Sequence, residues 1–189
     1  MIKQLLYSAI FFLSILGLNA QNDFRKMNWY ESSETLMEKY PEVDFLKETE
    51  MGMTAYSHID FVSGIETRIA FCFINGEFVA GVYQFTPDRS SYDAKDFVKD
   101  FDKISGILQS KYEMERSDVW YREKMYTGGN YGFDYYLKDG EVDLAEVGRD
   151  EGTLIAHTLA NREGSITHIL MYSSSELIEK FNNSVEDDF

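Results

Sequence analysis

The clearest pattern in the chain is a set of apolar positions at helical spacing. Ala94, Phe97, Val98, Phe101, Ile104, Leu108 and Tyr112 recur three and four residues apart, while Asp96, Lys99, Asp100, Lys103 and Ser110 fall off that stripe. The spacing predicts an amphipathic helix, capped by Ser90 or Ser91, that lays one face on a sheet. The sheet is expected just upstream. Residues 66–74 and 77–85 are rich in β-branched and aromatic side chains and flank Asn75-Gly76, a pair that tolerates positive φ and so predicts a tight hairpin. A further, less regular strand is expected within residues 49–60. Before it, residues 32–40 read as a short helix capped by Ser32 or Ser33, with Glu34 at the positive end of the dipole and Pro41 as the stop.

The second half has the same style. Residues 142–147 alternate as a strand, and residues 153–160 and 165–173 read as two more joined by Asn161-Arg162-Glu163-Gly164. Residues 133–137 fit either a short helix closed by Gly140 or a strand. Ser174-Ser175-Glu176 begins a terminal helix carrying Leu177, Ile178 and Phe181, followed by a frayed acidic tail over 182–189. The expected order is α-βββ-α-(α/β)-βββ-α, an α+β fold in one domain over 21–181 with helices packed on antiparallel sheet. The two three-strand groups form either one sheet or two pseudo-repeats.

Ahead of this domain stand Lys3, an apolar run from Leu5 to Leu18, and Asn19-Ala20. Charge, apolar stretch and small residue in that order predict a cleavable secretory signal over 1–20, too short for the roughly 20 residues of a membrane-spanning helix. The expected location is therefore periplasmic or secreted, in a bacterial envelope. The lone cysteine, Cys72, lies in an apolar strand, so neither a disulfide nor a lipid anchor is expected, and Cys72 reads as a small buried hydrophobe. Residues 1–20 hold one base and no acid, which leaves 17 basic against 33 acidic residues in the mature chain. Such a surface repels nucleic acid and anionic membranes and favours a partner with a basic surface.

Phe24-Arg25-Lys26-Met27-Asn28-Trp29-Tyr30-Glu31-Ser32-Ser33-Glu34-Thr35-Leu36 resembles the entry of a group of uncharacterised exported bacterial domains, in which Trp is often followed by Gly and then, after one residue, by Ser and a short helix. Ile69-Ala70-Phe71-Cys72-Phe73-Ile74-Asn75-Gly76-Glu77-Phe78 and Gly81-Val82-Tyr83-Gln84-Phe85 match the Phe-rich hairpin that follows, and Lys111-Tyr112 ends the next helix as in that group. In layout the chain also resembles the SmpA/OmlA outer-membrane assembly lipoproteins and β-lactamase-inhibitor-like domains. That resemblance implies a protein-binding module of α+β fold rather than an enzyme. Tyr30 stands where the group usually has Gly, and the lipoprotein cysteine is missing.

Few residues nominate chemistry. His157 and His168 occupy neighbouring strands; a four-residue loop sets them opposite each other, close enough to share a metal with His58 or Asp60, whereas a shorter loop is expected to separate them. The run from Asp100 to Gly106 lacks the glycine and distal Glu of a calcium loop. No Gly-x-Ser-x-Gly elbow occurs, and Gly128-Gly129-Asn130-Tyr131-Gly132 is followed by no Lys-Ser/Thr. No metal, cofactor or catalytic residue is nominated. Seven aromatics fall between positions 120 and 136, and of these Trp120, Tyr121, Tyr126 and Tyr131 are the candidate binding residues, since Tyr and Trp pair a flat apolar face with a polar handle. The function expected is a non-catalytic exported domain that recognises a protein or peptide. The alternatives are a metal-dependent or acid–base hydrolase using His157 and His168, and a secreted enzyme inhibitor.

Overall fold

The computed structural model describes residues 24–50, 52–85, 92–121, 132–162 and 164–176. The signal segment, Leu177, Ile178 and Phe181 of the expected terminal helix, and the acidic tail lie outside the described residues. Among the described residues there are three helices: α1 (Ser33–Lys39), α2 (Ala94–Gln109) and α3 (Phe133–Lys138). The strands are β1 (Leu46–Glu50), β2 (Met53–Val62), β3 (Ile65–Ile74), β4 (Glu77–Phe85), β5 (Met114–Arg116), β6 (Val119–Trp120), β7 (Val142–Asp150), β8 (Thr153–Arg162) and β9 (Ser165–Ser174).

The nine strands form one antiparallel sheet in the order β1-β2-β3-β4-β9-β8-β7-β5, with β6 pairing β7 off that path. The choice between one sheet and two pseudo-repeats is settled by the pairing of β4 with β9, which sets Ala80 opposite Ser173 and Phe85 opposite His168. Residues 49–60 are not one strand. They belong to a hairpin, β1 and β2, with Glu50 opposite Met53. The order is thus α-ββββ-α-ββ-α-βββ, mainly β with some helix.

Turn chemistry explains the hairpins. Ser63-Gly64, Asn75-Gly76 and Glu151-Gly152 all have positive φ at both residues, as a two-residue turn matching the strand twist requires. Residues 133–137 resolve as helix α3. Ser90 and Ser91 lie outside the described residues, and the cap of α2 is instead Asp93: its side chain accepts from Asp96 N, while the Asp96 carboxylate accepts from Asp93 N. This capping box starts the helix at Ala94. The cap of α1 is Ser32, as one of the two expected serines.

One face of the sheet holds the core. Along β3, Ile65, Thr67, Ile69, Phe71 and Phe73 are buried, and the register carries this parity through Gly81 and Phe85 of β4, Leu170 of β9, Ile155 and Leu159 of β8, and Leu144 of β7. The segment around Phe24 and Met27, together with Leu36 of α1, covers one half of this face. Helices α2 and α3 cover the other through Phe97, Phe101 and Leu137. Cys72 points the other way but is only 7% exposed, and burial pushes its thiol up to about 11.

Two backbone positions anchor the N-terminal cover. Tyr30 has φ 70°, a left-handed value that favours glycine. Its hydroxyl donates to Glu176 at 2.8 Å and lies 3.2 Å from the Ser174 hydroxyl. Phe24 lies on Gly81, with its ring 5.4 Å from that of Phe71, 5.0 Å from Tyr83 and 5.8 Å from Tyr172; a Cβ at position 81 would clash with its Cγ, Cδ1 and Cδ2 atoms. Gly81→Ala is therefore expected to displace Phe24 and to lower stability by about 1–3 kcal/mol, the usual cost of overpacking. Urea denaturation would read this as a lower midpoint at unchanged slope.

Candidate functional site

Under α2 the core face carries a row of polar side chains. Strand β7 alternates Val142, Leu144 and Glu146 inward, so the third inward position is a carboxylate, 2% exposed. The ladder sets Arg116 of β5 and His157 of β8 opposite it on either side. His168 follows on β9. The turn joining β8 to β9 has two residues, with Arg162 opposite Ser165, so His157 faces Leu170 and His168 faces Leu159. The expectation that a short loop separates the histidines is thereby corrected. A shift of two residues keeps both side chains on the same face, and the diagonal reach between neighbouring strands brings the two Nε2 atoms to 2.8 Å.

These contacts set the tautomers. Nδ1 of His157 lies 3.3 Å from Glu146 Oε2, and a carboxylate only accepts, so the proton is on Nδ1 and Nε2 carries the lone pair. Nε2 of His168 must then be the donor to His157. Glu146 gathers further donors: Ser105 Oγ at 2.5 Å and Gln109 Nε2 at 3.1 Å, both from α2, and Arg116 Nη1 at 3.4 Å. The Phe101 ring stacks on His157 at 4.0 Å with a 7° interplanar angle, and the Arg116 guanidinium lies 5.0 Å from the same ring's centre. Asp118 holds the other side of Arg116 at 2.5 Å.

Burial disfavours the charged forms of both rings. It takes His157 down to about 4 against the pull of Glu146, and it takes His168 well below the ordinary histidine value with help from His157. Burial pushes the Glu146 acid up, but hydrogen bonds from Ser105 and His157 and the charge of Arg116 outweigh it and hold the carboxyl below its ordinary value. The resting chain is one carboxylate and two neutral imidazoles. Both imidazoles are sealed, at 0% and 1% exposure, and no group of three metal-ligating side chains occurs among the described residues. His58 stands apart on β2, its ring 5.4 Å from Phe45, and Asp60 lies 3.6 Å from Arg25.

The candidate aromatic residues fall at the other end of the ladder, around β6. Trp120 is half-buried against Phe133 and Tyr136 at 5.9 and 5.3 Å. Tyr121 is exposed, and its hydroxyl donates to Asp143 at 2.6 Å. Tyr126 and Tyr131 lie outside the described residues.

A second feature lies at the open edge. β1 pairs β2 only as far as Ser57, so residues 58–62 have β3 on one side and no described strand on the other. With Val62 and Ile65 closing a two-residue turn, ladder alternation turns the backbone groups of Ile59 and Phe61 away from β3. Consistent with this, Phe61 N donates to the side chain of Asp60 at 2.8 Å. Ile59 and Phe61 are 50% and 65% exposed.

Comparison with protein-family models, curated proteins and solved structures finds no match to this chain.

Sequence reasoning weighed the two histidines only for the alternative hydrolase reading and missed Glu146, Ser105 and Arg116. The available signal was parity: Glu146 continues the inward series of Val142 and Leu144, and Ser105 lies one turn from Phe101 on the apolar stripe. Glu146→Ala would strip these donors of their acceptor and leave Arg116 half-paired beside the core. It is expected to lower unfolding free energy by about 1–3 kcal/mol, the cost of leaving buried donors unsatisfied, measured by urea denaturation at neutral pH.

Proposed function

We propose that the mature chain is an exported, non-catalytic domain that binds an extended protein or peptide segment by strand addition at β2. The observation that supports this is the open edge at residues 58–62, where outward-turned backbone groups coincide with the two most exposed large side chains of that strand, Ile59 and Phe61. An incoming strand in line with β1 meets the same hydrogen-bonding row that β1 uses at Ser57, Ala55 and Met53. Its side chains on the Ile59 and Phe61 side are apolar. The acidic excess of the whole chain favours Lys or Arg at the alternate positions.

The buried histidines favour no hydrolase reading, because a general base must come within hydrogen-bonding reach of its substrate and both rings are sealed beneath Phe101 and Phe85. Among the candidate aromatics, Trp120 is engaged in packing and Tyr121 with Asp143, so the β2 edge is the stronger contact surface. No described helix is long and apolar enough to cross a membrane.

Titration of isotope-labelled protein with short synthetic peptides alternating valine and lysine tests the reading by NMR. Amide shifts should concentrate at Ile59 and Phe61. Phe61→Asp should weaken binding about tenfold or more, the scale of a hot-spot side chain, and peptides N-methylated at alternate residues should fail to bind. Equal binding by the methylated peptides would exclude strand addition, and no binding by any peptide of this pattern would remove the support for the function.

A further inference from the structure

The buried polar chain has one unsatisfied end. His168 Nδ1 is enclosed by protein and has no hydrogen-bond partner, and the ring is bounded by Phe85 at 4.5 Å and Phe101 at 5.7 Å. Both oxygens of Glu146, both nitrogens of His157 and Nε2 of His168 are bonded. The donors all run one way, from His168 to His157 to Glu146. A proton accepted at His168 Nδ1 can therefore pass along without any side chain moving. The Nε2 hydrogen of His168 transfers to His157 Nε2, and the Nδ1 hydrogen of His157 transfers to Glu146 Oε2. One solvent proton enters, one carboxylate is neutralised, and both imidazoles end neutral in the opposite tautomers.

Glu146 is also where α2 is tied to the sheet, since Ser105 and Gln109 both donate to it. Charge-assisted hydrogen bonds are roughly twice as strong as neutral ones, so neutralising the acceptor weakens both ties at once and leaves Arg116 facing an uncharged acid. We propose that Glu146, His157 and His168 form a proton-operated latch, whose protonation frees α2 from the sheet while the strands stay paired.

The charged groups around the latch are few. Asp102 reaches it from α2; burial raises its carboxyl, Arg116 pulls it down and Glu146 pushes it up. Arg116 reaches it from β5 and is shared with Asp118. β4 contributes Phe85, which does not titrate. The sign follows from the histidines. Burial holds both below the ordinary 6.5, so the closed chain binds protons less readily than an opened one, and falling pH favours opening. Glu146, held below its ordinary value when closed, acts in the same direction at lower pH; Asp102 acts oppositely, but it donates nothing to the tether. The latch is closed at and above neutral pH and opens as pH falls from about 6.5 toward 4.

Amide hydrogen exchange on the full mature chain tests this between about pH 7.5 and about pH 5, corrected for intrinsic exchange. Protection over residues 94–109 should fall by between about tenfold and about a hundredfold per pH unit at the steepest, the limits for uptake of one and of two protons, while β3 and β4 keep theirs. Parallel loss across the whole chain, or none over α2, would overturn the proposal. Nitrogen-resolved NMR of the unaltered protein gives a second reading: at neutral pH His157 should carry its proton on Nδ1 and His168 on Nε2, and both rings should become doubly protonated at one shared midpoint as the latch opens in acid. Opposite tautomers at neutral pH, or two separate midpoints, would also overturn it. His168→Gln keeps a donor toward His157 but removes the accepting nitrogen, and it should flatten the pH response of α2; an undiminished response would count against the latch.

Discussion

The pairing of β4 with β9 makes two sets of strands into one sheet, and the architecture follows from that join. Strands spaced about 4.8 Å apart put the outer strands of the eight-strand path about 34 Å apart, wider than any one of the three described helices can cover. The core face is therefore divided between two covers, the N-terminal segment with α1 on one side and α2 with α3 on the other. Tyr83 and Tyr172 fill the seam, packing against the cluster of Phe24 and Phe71 and against that of Ile65 and Leu170. Their rings meet at 6.2 Å. Burial raises both phenols, so the seam stays uncharged, and Arg25 answers the Tyr83 hydroxyl at 3.3 Å.

Much of this fold is legible in local chemistry. Asn75-Gly76 marks its hairpin because both residues accept positive φ, and the stripe from Ala94 to Leu108 marks α2 because burial on one face needs that spacing. The β1–β2 hairpin is obscured because β1 reads Leu-Lys-Glu-Thr-Glu, exposed throughout, with no inward apolar series to announce it. β5 and β6 are too short to show a period at all. The proximity of the histidines depends on the diagonal geometry of a register set by one turn. Asp93 caps α2, with Asp96 three residues on to complete the capping box.

A carboxylate and two imidazoles beneath a helix oppose the hydrophobic logic of the surrounding core. Apolar replacements of similar shape could fill such a space, and a buried network that is nearly but not fully bonded is a costly alternative. The stack of Arg116, Phe101 and His157 gives the cluster a defined geometry, and the tether from Ser105 and Gln109 fixes the rotation of α2 about its own axis. The helix is thereby oriented by directional bonds where apolar contact alone would allow sliding. At the opposite edge Ile59 and Phe61 meet solvent directly.

The lone thiol has a consequence for handling in air. With Cys72 held near 11, only about one thiol in a thousand is ionised even at mildly alkaline pH, and disulfide exchange proceeds through that ionised form. Enclosure of the sulfur further limits the approach of an oxidant or a second chain. Covalent pairing of copies is thus suppressed by the environment of one side chain, and the folded chain needs no reductant to remain free of crosslinks.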